Sequence, residues 1–382
     1  MHKTNKTAIL NQDSGYLMID LANAFHKNNH QVSLVTGRLV VRNKPLASEI
    51  KLLKFCRYNR RNTFMRLLTW SFGSLQMLLL IWFKLKKQKL IIVSNPPFAP
   101  LLPLLFKNPF YLLIFDIYPD ALIEKQLFSS NSNFIKAWQK LNRKVFMRAD
   151  RIITLTEGMR NLLGNYVDIN NVEVINIWSN NDYLKPIDPS TNPFIIKNKL
   201  LNKCIVLYSG NLGFTGHIEK LVDVAFALKE HHNILFLIIG EGPKAREIEY
   251  SAKKLQLNNL KLLPLQPVSD IPWSLASADI AVVTLGKNFS KLAIPSKFYD
   301  YLSVAAPILC LGSKNSELEE VISSNRCGAC FEPENIDEIS SYILRLYNNN
   351  IELKDLSEKA LLTSKKFSID NIKLFFDQNT NH

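Results

Sequence analysis

The residues with the most chemical promise lie in Pro295-Ser296-Lys297-Phe298-Tyr299-Asp300-Tyr301. Ser296, at the head of a helix whose apolar positions Phe298, Tyr301 and Leu302 share one face, predicts a side-chain cap. The first N–H groups and Lys297 are then left for an anion such as a diphosphate. Asp300, one turn further on, has the acceptors to hold the two cis hydroxyls of a ribose. A capped helix with a solvated Lys and Asp is the plainer alternative. An anion site and a ribose site on adjacent turns favour a ligand.

Three loops that carry glycine follow apolar, strand-like runs. In Asn11-Gln12-Asp13-Ser14-Gly15, the glycine would let a phosphate approach the backbone where a helix opens. An ordinary strand–helix turn reads the same residues equally well. Ser209-Gly210-Asn211-Leu212-Gly213 offers small side chains and one amide to a phosphate or sugar. Gly240-Glu241-Gly242-Pro243 ends the very apolar run Ile234–Ile239, at the sheet edge where open α/β folds bind ligands. Turn chemistry alone is the alternative there.

These loops need strands to carry them. Short runs rich in Ile, Leu and Val predict strands at Thr7–Asn11, Gln31–Thr36, Leu90–Val93, Tyr111–Phe115, Arg151–Leu155 and Val172–Ile175. After the midpoint they recur at Cys204–Tyr208, Ile234–Ile239, Lys261–Leu263, Ile280–Thr284 and Ile308–Leu311. Amphipathic segments such as Tyr16–Lys27, Ile218–His231 and Ala245–Leu255 lie between them, and that alternation predicts doubly wound parallel sheets. Leu184–Leu201, with Pro186, Pro189 and Pro193, separates the two series. The expected domains are 1–184 and 185–366. Residues 367–382, with the amphipathic segment Ile369–Phe376, are expected to pack back on the first domain.

A chain of 382 residues, 47% of them hydrophobic, suits two cores and excludes intrinsic disorder. The net charge of +14 belongs to one half: residues 1–190 hold 26 Lys and Arg against 12 Asp and Glu, whereas residues 191–382 hold 21 of each. Arg57, Arg60 and Arg61 sit in the densest patch, next to the apolar stretch Leu67–Phe83 with its Trp70, Phe72, Trp82 and Phe83. That stretch, 17 residues long and interrupted, falls short of the ~20 needed to span a bilayer and predicts a buried or interfacial helix. A basic rim beside such a helix suits an anionic membrane surface. No nucleic-acid motif occurs, so no nucleic-acid partner is expected. The start MHKTNKTAIL has no secretory core, and the five scattered cysteines suggest reduced thiols. Both point to a cytoplasmic protein, and the basic rim adds a peripheral contact with a membrane surface. Cys327 and Cys330 are expected in a turn, without metal or redox use, because no second pair or His completes a site.

Taken together, HQVSLVTG (30–37), SNPPF (94–98), FDIYPDALIE (115–124), ADRIITLTEGM (149–159), VEVINIW (172–178), YSGNLG, GEGP, SLASADIAVV (274–283) and PSKFYDYLSVAAPI (295–308) resemble one family. It is that of the GT-B-fold glycosyltransferases of family 4, in particular the bacterial branch that builds O-antigen and capsular polysaccharides. The resemblance runs from about residue 7 to residue 376. It implies an α/β protein of two Rossmann-like, doubly wound parallel-sheet domains facing a central cleft. It also implies retention at the sugar, no cofactor and no bound metal.

The donor would be a nucleotide sugar, with UDP ahead of GDP, held mainly by the C-terminal domain. A lipid-linked saccharide acceptor would be held by the N-terminal one. Asp300 stands where the family has the second Glu of its E-x7-E pattern, and Gly15 matches its first-loop glycine. The donor set comprises Gly15, Ser209, Gly210, Asn211, Gly240, Glu241, Gly242, Gln266, Pro295, Ser296, Lys297 and Asp300. Asn95, Asp116, Tyr118 and Asp120 fall on the acceptor side, and Asp116 and Lys297 are the catalytic candidates. The chain departs from the pattern in three places. Leu292 replaces the first Glu, Asn211 and Thr215 replace the usual Arg and Lys, and Asn176-Ile177-Trp178 replaces Pro-Asn-Trp. A non-catalytic nucleotide-sugar-binding scaffold and a sugar-nucleotide epimerase of the same fold remain alternatives.

Overall fold

The computed structural model describes residues 5–59, 61–124, 127–213, 216–286 and 294–376; Arg60, Thr215 and Leu292 lie outside them. The chain divides into two compact units, Ile177–Asp370 and Met1–Asn176 with Asn371–His382.

Among the described residues, the main sheet of the first unit has seven parallel strands: β1 (Lys6–Leu10), β2 (Gln31–Thr36), β3 (Lys51–Lys54), β4 (Lys89–Val93), β5 (Phe110–Ile114), β6 (Arg151–Thr154) and β7 (Val172–Val174). Their order across the sheet is β3-β2-β1-β4-β5-β6-β7. Ile9 on β1 lies opposite Leu34 on one side and Ile91 on the other, all three fully buried. Continuous apolar runs are what a parallel sheet covered on both faces requires. The order reverses between β1 and β4, so the loops after these two strands diverge and leave room for a ligand. β3 (KLLK) was not expected from the sequence, because lysines at both ends of this four-residue edge strand mask its apolar centre.

The helix α1 (Tyr16–Lys27) follows β1 and buries Met18, Ile19, Leu21, Ala22 and Phe25. The helix α2 (Thr63–Lys84) crosses from β3 to β4 and is longer than the stretch Leu67–Phe83 suggested. Asn62 caps it by accepting from the Met65 N–H. At 22 residues it is long and apolar enough to cross a membrane by length and composition, which corrects the expectation from the interrupted run. However, Trp70, Gly73, Ser74, Met77 and Ile81 are buried, and Met77 and Ile81 belong to the core under the sheet. One face therefore serves as an ordinary crossover, and the opposite face stays exposed.

At the end of the chain, Ile369–Phe375 forms a 3-10 stretch. Arg151 donates to the Leu374 and Phe375 carbonyls at 2.9 and 2.8 Å, and Phe376 packs on Phe25 with ring centroids 4.5 Å apart.

The second unit repeats the plan with six described strands: β8 (Cys204–Ser209), β9 (Ile234–Ile239), β10 (Leu260–Leu263), β11 (Ile280–Thr284), β12 (Ile308–Leu311) and β13 (Gly328–Phe331). They are parallel in the order β10-β9-β8-β11-β12-β13, with the reversal between β8 and β11. The helix α3 (Lys220–Ala227) is shorter than the predicted Ile218–His231, while α4 (Ala245–Lys254) lies close to its predicted span. The helix α5 (Ser296–Ser303) precedes β12. β13 corrects the turn expected at Cys327–Cys330: Cys330 is in a strand, opposite Cys310 in register, with the two sulfurs 3.0 Å apart. Gly328 permits that pairing, since a Cβ there would meet the Ile308 carbonyl oxygen at 2.0 Å.

The two faces of α2 should respond differently to truncation. Met77→Ala empties a core position and should cost about 2–5 kcal/mol. Leu75→Ala on the outward face should stay within about 0.5 kcal/mol. Denaturant titration of the two variants compares them directly.

Candidate functional site

In the second unit, the loops after β8 and β9 interlock backbone against backbone. The Leu212 N–H donates to the Glu241 carbonyl at 2.9 Å, and the Lys244 N–H donates back to the Leu212 carbonyl at 3.1 Å. A Cβ on Gly240 would lie 2.0 Å from the Gly210 carbonyl oxygen, and one on Gly242, whose φ is +155°, would lie 2.5 Å from the Leu212 carbonyl oxygen. These two glycines are therefore required by loop packing. The exposed Glu241 and Asn211 side chains leave the interlock for solvent. Lys244, nearly buried, pairs with Glu219, a contact the sequence did not suggest.

The helix α5 starts beside this pair of loops. Pro295 occupies the N-cap with φ −59° and ψ 134°, and Ser296 is the first helical residue. Among the described residues no side chain caps α5, which corrects the capping role given to Ser296. The reason is local: an extended proline already fixes the chain's entry, and the serine hydroxyl is one position too late to reach back.

Lys297 folds inward from the same turn. Its Nζ sits 3.6 Å from the centroid of the Tyr208 ring, and a Cβ on Gly210 would approach that nitrogen to 2.8 Å. Gly210 thus leaves the space that the ammonium fills, at a φ of +148° that suits glycine alone. Among the described residues no hydrogen-bond acceptor meets Lys297, and burial pushes its pKa down to about 7. The Tyr208 hydroxyl donates to the Asn211 carbonyl at 2.8 Å, and the Ser209 N–H donates to the Tyr301 hydroxyl at 2.7 Å. A buried, underpartnered ammonium at an uncapped helix N-terminus is a place for an anion.

Asp300 accepts from the Ser179 hydroxyl at 2.9 Å, which positions its carboxylate. Gln266 donates to the Pro264 carbonyl at 2.7 Å and closes its own turn after β10. The structure thus gathers Ser209, Gly210 and Lys297 around one point, with Tyr208, Tyr301 and Ser179 as partners that the sequence reading missed. Tyr208 directly precedes the Ser-Gly loop, which was the available signal.

In the first unit, the loops after β1, β4 and β5 are tied together. Gln12, fully buried, donates its N–H to the Asn95 carbonyl at 2.9 Å and its amide to the Thr69 carbonyl of α2 at 2.8 Å. Ser94 Oγ accepts from the Phe115 and Asp116 N–H groups at 2.9 and 3.0 Å. Arg38 grips Asp13 through two bonds of 2.6 and 2.8 Å. Gly15 precedes α1 with open space where a Cβ would stand, and no side chain among the described residues caps that helix. Cis peptide bonds occur at Asn95–Pro96 and Tyr118–Pro119.

Asp116 is exposed beyond the end of β5. Burial and the neighbouring Asp116 push the Tyr118 hydroxyl upward. The Tyr118 ring stacks on Trp138 with centroids 6.4 Å apart and meets the edge of Trp70 at 5.9 Å, while Trp70 stacks on Tyr58 at 5.5 Å. Arg66 donates to the Tyr58 hydroxyl at 2.9 Å, and the Trp70 indole N–H, buried, has no acceptor among the described residues. Asp120 is half-buried and takes the Tyr166 hydroxyl as its donor. Arg57 and Arg61 are exposed ahead of α2. A cavity of about 1000 Å³ lies instead at the opposite edge of the sheet, where β6 and β7 begin, against residues that include Arg151 and Asp168. Open parallel sheets bind ligands at the carboxyl ends of their strands, so that cavity is not the candidate.

Two Rossmann-like units with this strand order and these switch-point loops define the GT-B fold of glycosyltransferases. The structure superposes with a TM-score of 0.69 on WaaG, a glycosyltransferase involved in lipopolysaccharide biosynthesis, at 13% identity over 99% of this chain and 100% of that one. Anabaena HepE, solved in complex with UDP-glucose, matches at a TM-score of 0.69 and 13% identity over 97% of each chain. In sequence, residues 192–362, most of the second unit, match the family described as glycosyl transferases group 1.

WbjE of Pseudomonas aeruginosa, named as a glycosyltransferase, is 25% identical over 230 residues, 60% of this chain and 57% of WbjE. WcaI of Escherichia coli K12, which carries the name of a colanic acid biosynthesis glycosyl transferase, is 27% identical over 164 residues, 42% of this chain and 40% of WcaI. The matches thus span 57% and 40% of these two relatives' lengths.

The buried ammonium makes a stability prediction with a definite sign. Lys297 binds its proton less readily when folded, at about 7 against an ordinary 10.5, so the cost of burying the charge is fully present below about pH 7. That cost fades as the pH rises toward 10.5. Lys297→Met should therefore raise stability at about pH 6, and the gain should shrink by about pH 9. Melting curves of both proteins at the two pH values measure the difference.

Proposed function

We propose that the chain is a glycosyltransferase that moves a sugar from a nucleotide-sugar donor to a lipid-linked saccharide acceptor in surface polysaccharide biosynthesis. In this reading it works with retention and without a metal, as a peripheral protein on the cytoplasmic face of the plasma membrane. The observation that carries the reading is the Lys297 ammonium, buried over Tyr208 beside the uncapped start of α5. When the bond from the anomeric carbon to the diphosphate oxygen breaks, negative charge grows on the leaving diphosphate. A fixed cation and helix N–H groups stabilise that charge without reorganising. Asp300, held by Ser179, suits the ribose hydroxyls of the same donor. HepE's complex with UDP-glucose supports uridine over guanosine, and the names of WaaG, WbjE and WcaI support glycan assembly.

On the acceptor side, Asp116 is the carboxylate that would orient the attacking hydroxyl. The partly exposed rings of Tyr58 and Tyr118, backed by the buried Trp70 and Trp138, would offer a saccharide face. The basic side chains Arg57 and Arg61 would face the anionic leaflet that carries the acceptor.

Release of uridine diphosphate from a panel of UDP-sugars, with and without a lipid-linked acceptor, tests the activity. Release only in the presence of acceptor is expected, and Lys297→Ala should reduce it by about 10²–10³-fold. Unchanged release from that variant would remove Lys297 from the site. Binding of uridine diphosphate, followed by calorimetry, should weaken by up to about tenfold per pH unit above pH 7, because the anion must restore a proton to Lys297. In Lys297→Met that slope should vanish.

A further inference from the structure

The helix α2 carries a second apolar face that turns away from the core. At 3.6 residues per turn, Phe64, Leu68, Phe72, Leu75, Leu79 and Phe83 fall within a stripe about 100° wide and about 30 Å long. All six are exposed, Phe64 by 70% and Phe83 by 73%, and Trp82 extends the stripe at 52%. The buried positions Trp70, Met77 and Ile81 occupy the opposite side. A crossover helix needs only one apolar face. The outward stripe therefore calls for a partner of its own.

The charge around the stripe restricts what that partner is. Between Glu49 and Asp116 the sequence contains eleven Lys and Arg and no acid. Arg57 and Arg61 stand exposed before the start of α2, and Lys86, Lys87 and Lys107 stand exposed near its end. These three lysines rim an open groove of about 340 Å³ whose apolar walls include Trp82, Leu105 and Phe106. Trp82 and Phe106 meet edge to face at 6.1 Å. The Asn108 amide donates to the Leu85 and Gln88 carbonyls at 3.0 and 2.7 Å, which locks this rim to the end of the helix. Three ammonium groups above an apolar floor, continuous with an apolar stripe, match an amphiphile with an anionic phosphate head and aliphatic chains. Nucleic acid would satisfy the lysines but not the aliphatic stripe.

We propose that the outward stripe of α2 lies in the surface of an anionic phospholipid leaflet. The lipid phosphate sits among Lys86, Lys87 and Lys107, and its chain rests on Trp82, Leu105 and Phe106. The helix lies along the leaflet and does not cross it, since its other face belongs to the protein core. This inference rests on the membrane-facing reading above and names the surface and the lipid that would carry it.

Sedimentation of the full chain with vesicles tests the assignment, using phosphatidylcholine alone or mixed with about a third phosphatidylglycerol. Wild-type protein should bind the mixed vesicles and lose binding in high salt. Each lysine at such a surface contributes about fivefold, so Lys86→Glu with Lys87→Glu should weaken binding by about 25-fold or more. Phe72→Ser with Leu79→Ser should weaken it by about tenfold or more on the same vesicles. All four residues are exposed, and unchanged melting temperatures would confirm folding. Wild-type binding that survives both substitutions overturns this assignment while leaving the membrane reading intact. No wild-type binding to either vesicle overturns the membrane reading itself. Displacement by inorganic phosphate, at an ionic strength held constant with chloride, would assign the groove to a free anion and overturn the lipid.

Discussion

Burying one ammonium ties the start of α5 to the loop after β8 in the second unit. Lys297 lies against the face of Tyr208 in a space that exists because Gly210 has no Cβ. Moving charge out of water is costly unless a partner replaces the lost hydration, and an aromatic face replaces only part of it. The surrounding contacts hold that arrangement in place. Tyr301 takes the Ser209 N–H, Tyr208 donates to the Asn211 carbonyl, and the Gly240–Gly242 loop locks against Leu212. Among the described residues no acceptor neutralises the lysine. Rigid walls around that cation would suit the anion of the proposed donor.

The first unit reaches a comparable rigidity by a different route. Its switch-point loops are joined through Gln12, which links the loop after β1 to Asn95 and to the backbone of α2. Ser94 then links the loop after β4 to Asp116. The same connection reaches the aromatic stack, because Thr69 and Trp70 are neighbours on α2. A carboxylate and an aromatic wall are thereby positioned by hydrogen bonds to partly buried backbone.

Much of this framework was legible in the sequence because parallel strands covered on both faces must be written as continuous Ile, Leu and Val. Gln31–Thr36, Ile234–Ile239, Ile280–Thr284 and Ile308–Leu311 fall where the runs placed them. The misses have physical causes. β3 is short and ends in lysines, and β13 begins with a glycine and contains a cysteine, so neither edge strand carries an apolar run. The glycines of Gly240–Gly242 read equally well as a phosphate loop or a turn, and only coordinates show the carbonyls they avoid. Lys297, Asp300 and the Ser-Gly loop were visible as chemistry. Their partners were not: Ser179 and Asp300 are separated by 121 positions, and Ser209 and Tyr301 by 92. No local pattern encodes such pairings.

The helix α2 shows a different limit of sequence reading. Its composition resembles a membrane span, its place in the chain is that of a crossover, and a mean over residues cannot separate the two. The structure separates them by face. Met77 and Ile81 are spent on the core, while Phe72, Leu75 and Leu79 point outward, half a turn away. A soluble crossover under no other demand would carry polar residues there, because exposed apolar stripes promote aggregation. Basic residues at both ends supply what an apolar stripe alone lacks, a preference for one kind of surface. The net charge of the whole chain is thus concentrated where the apolar surface is exposed, and the two features are best understood together.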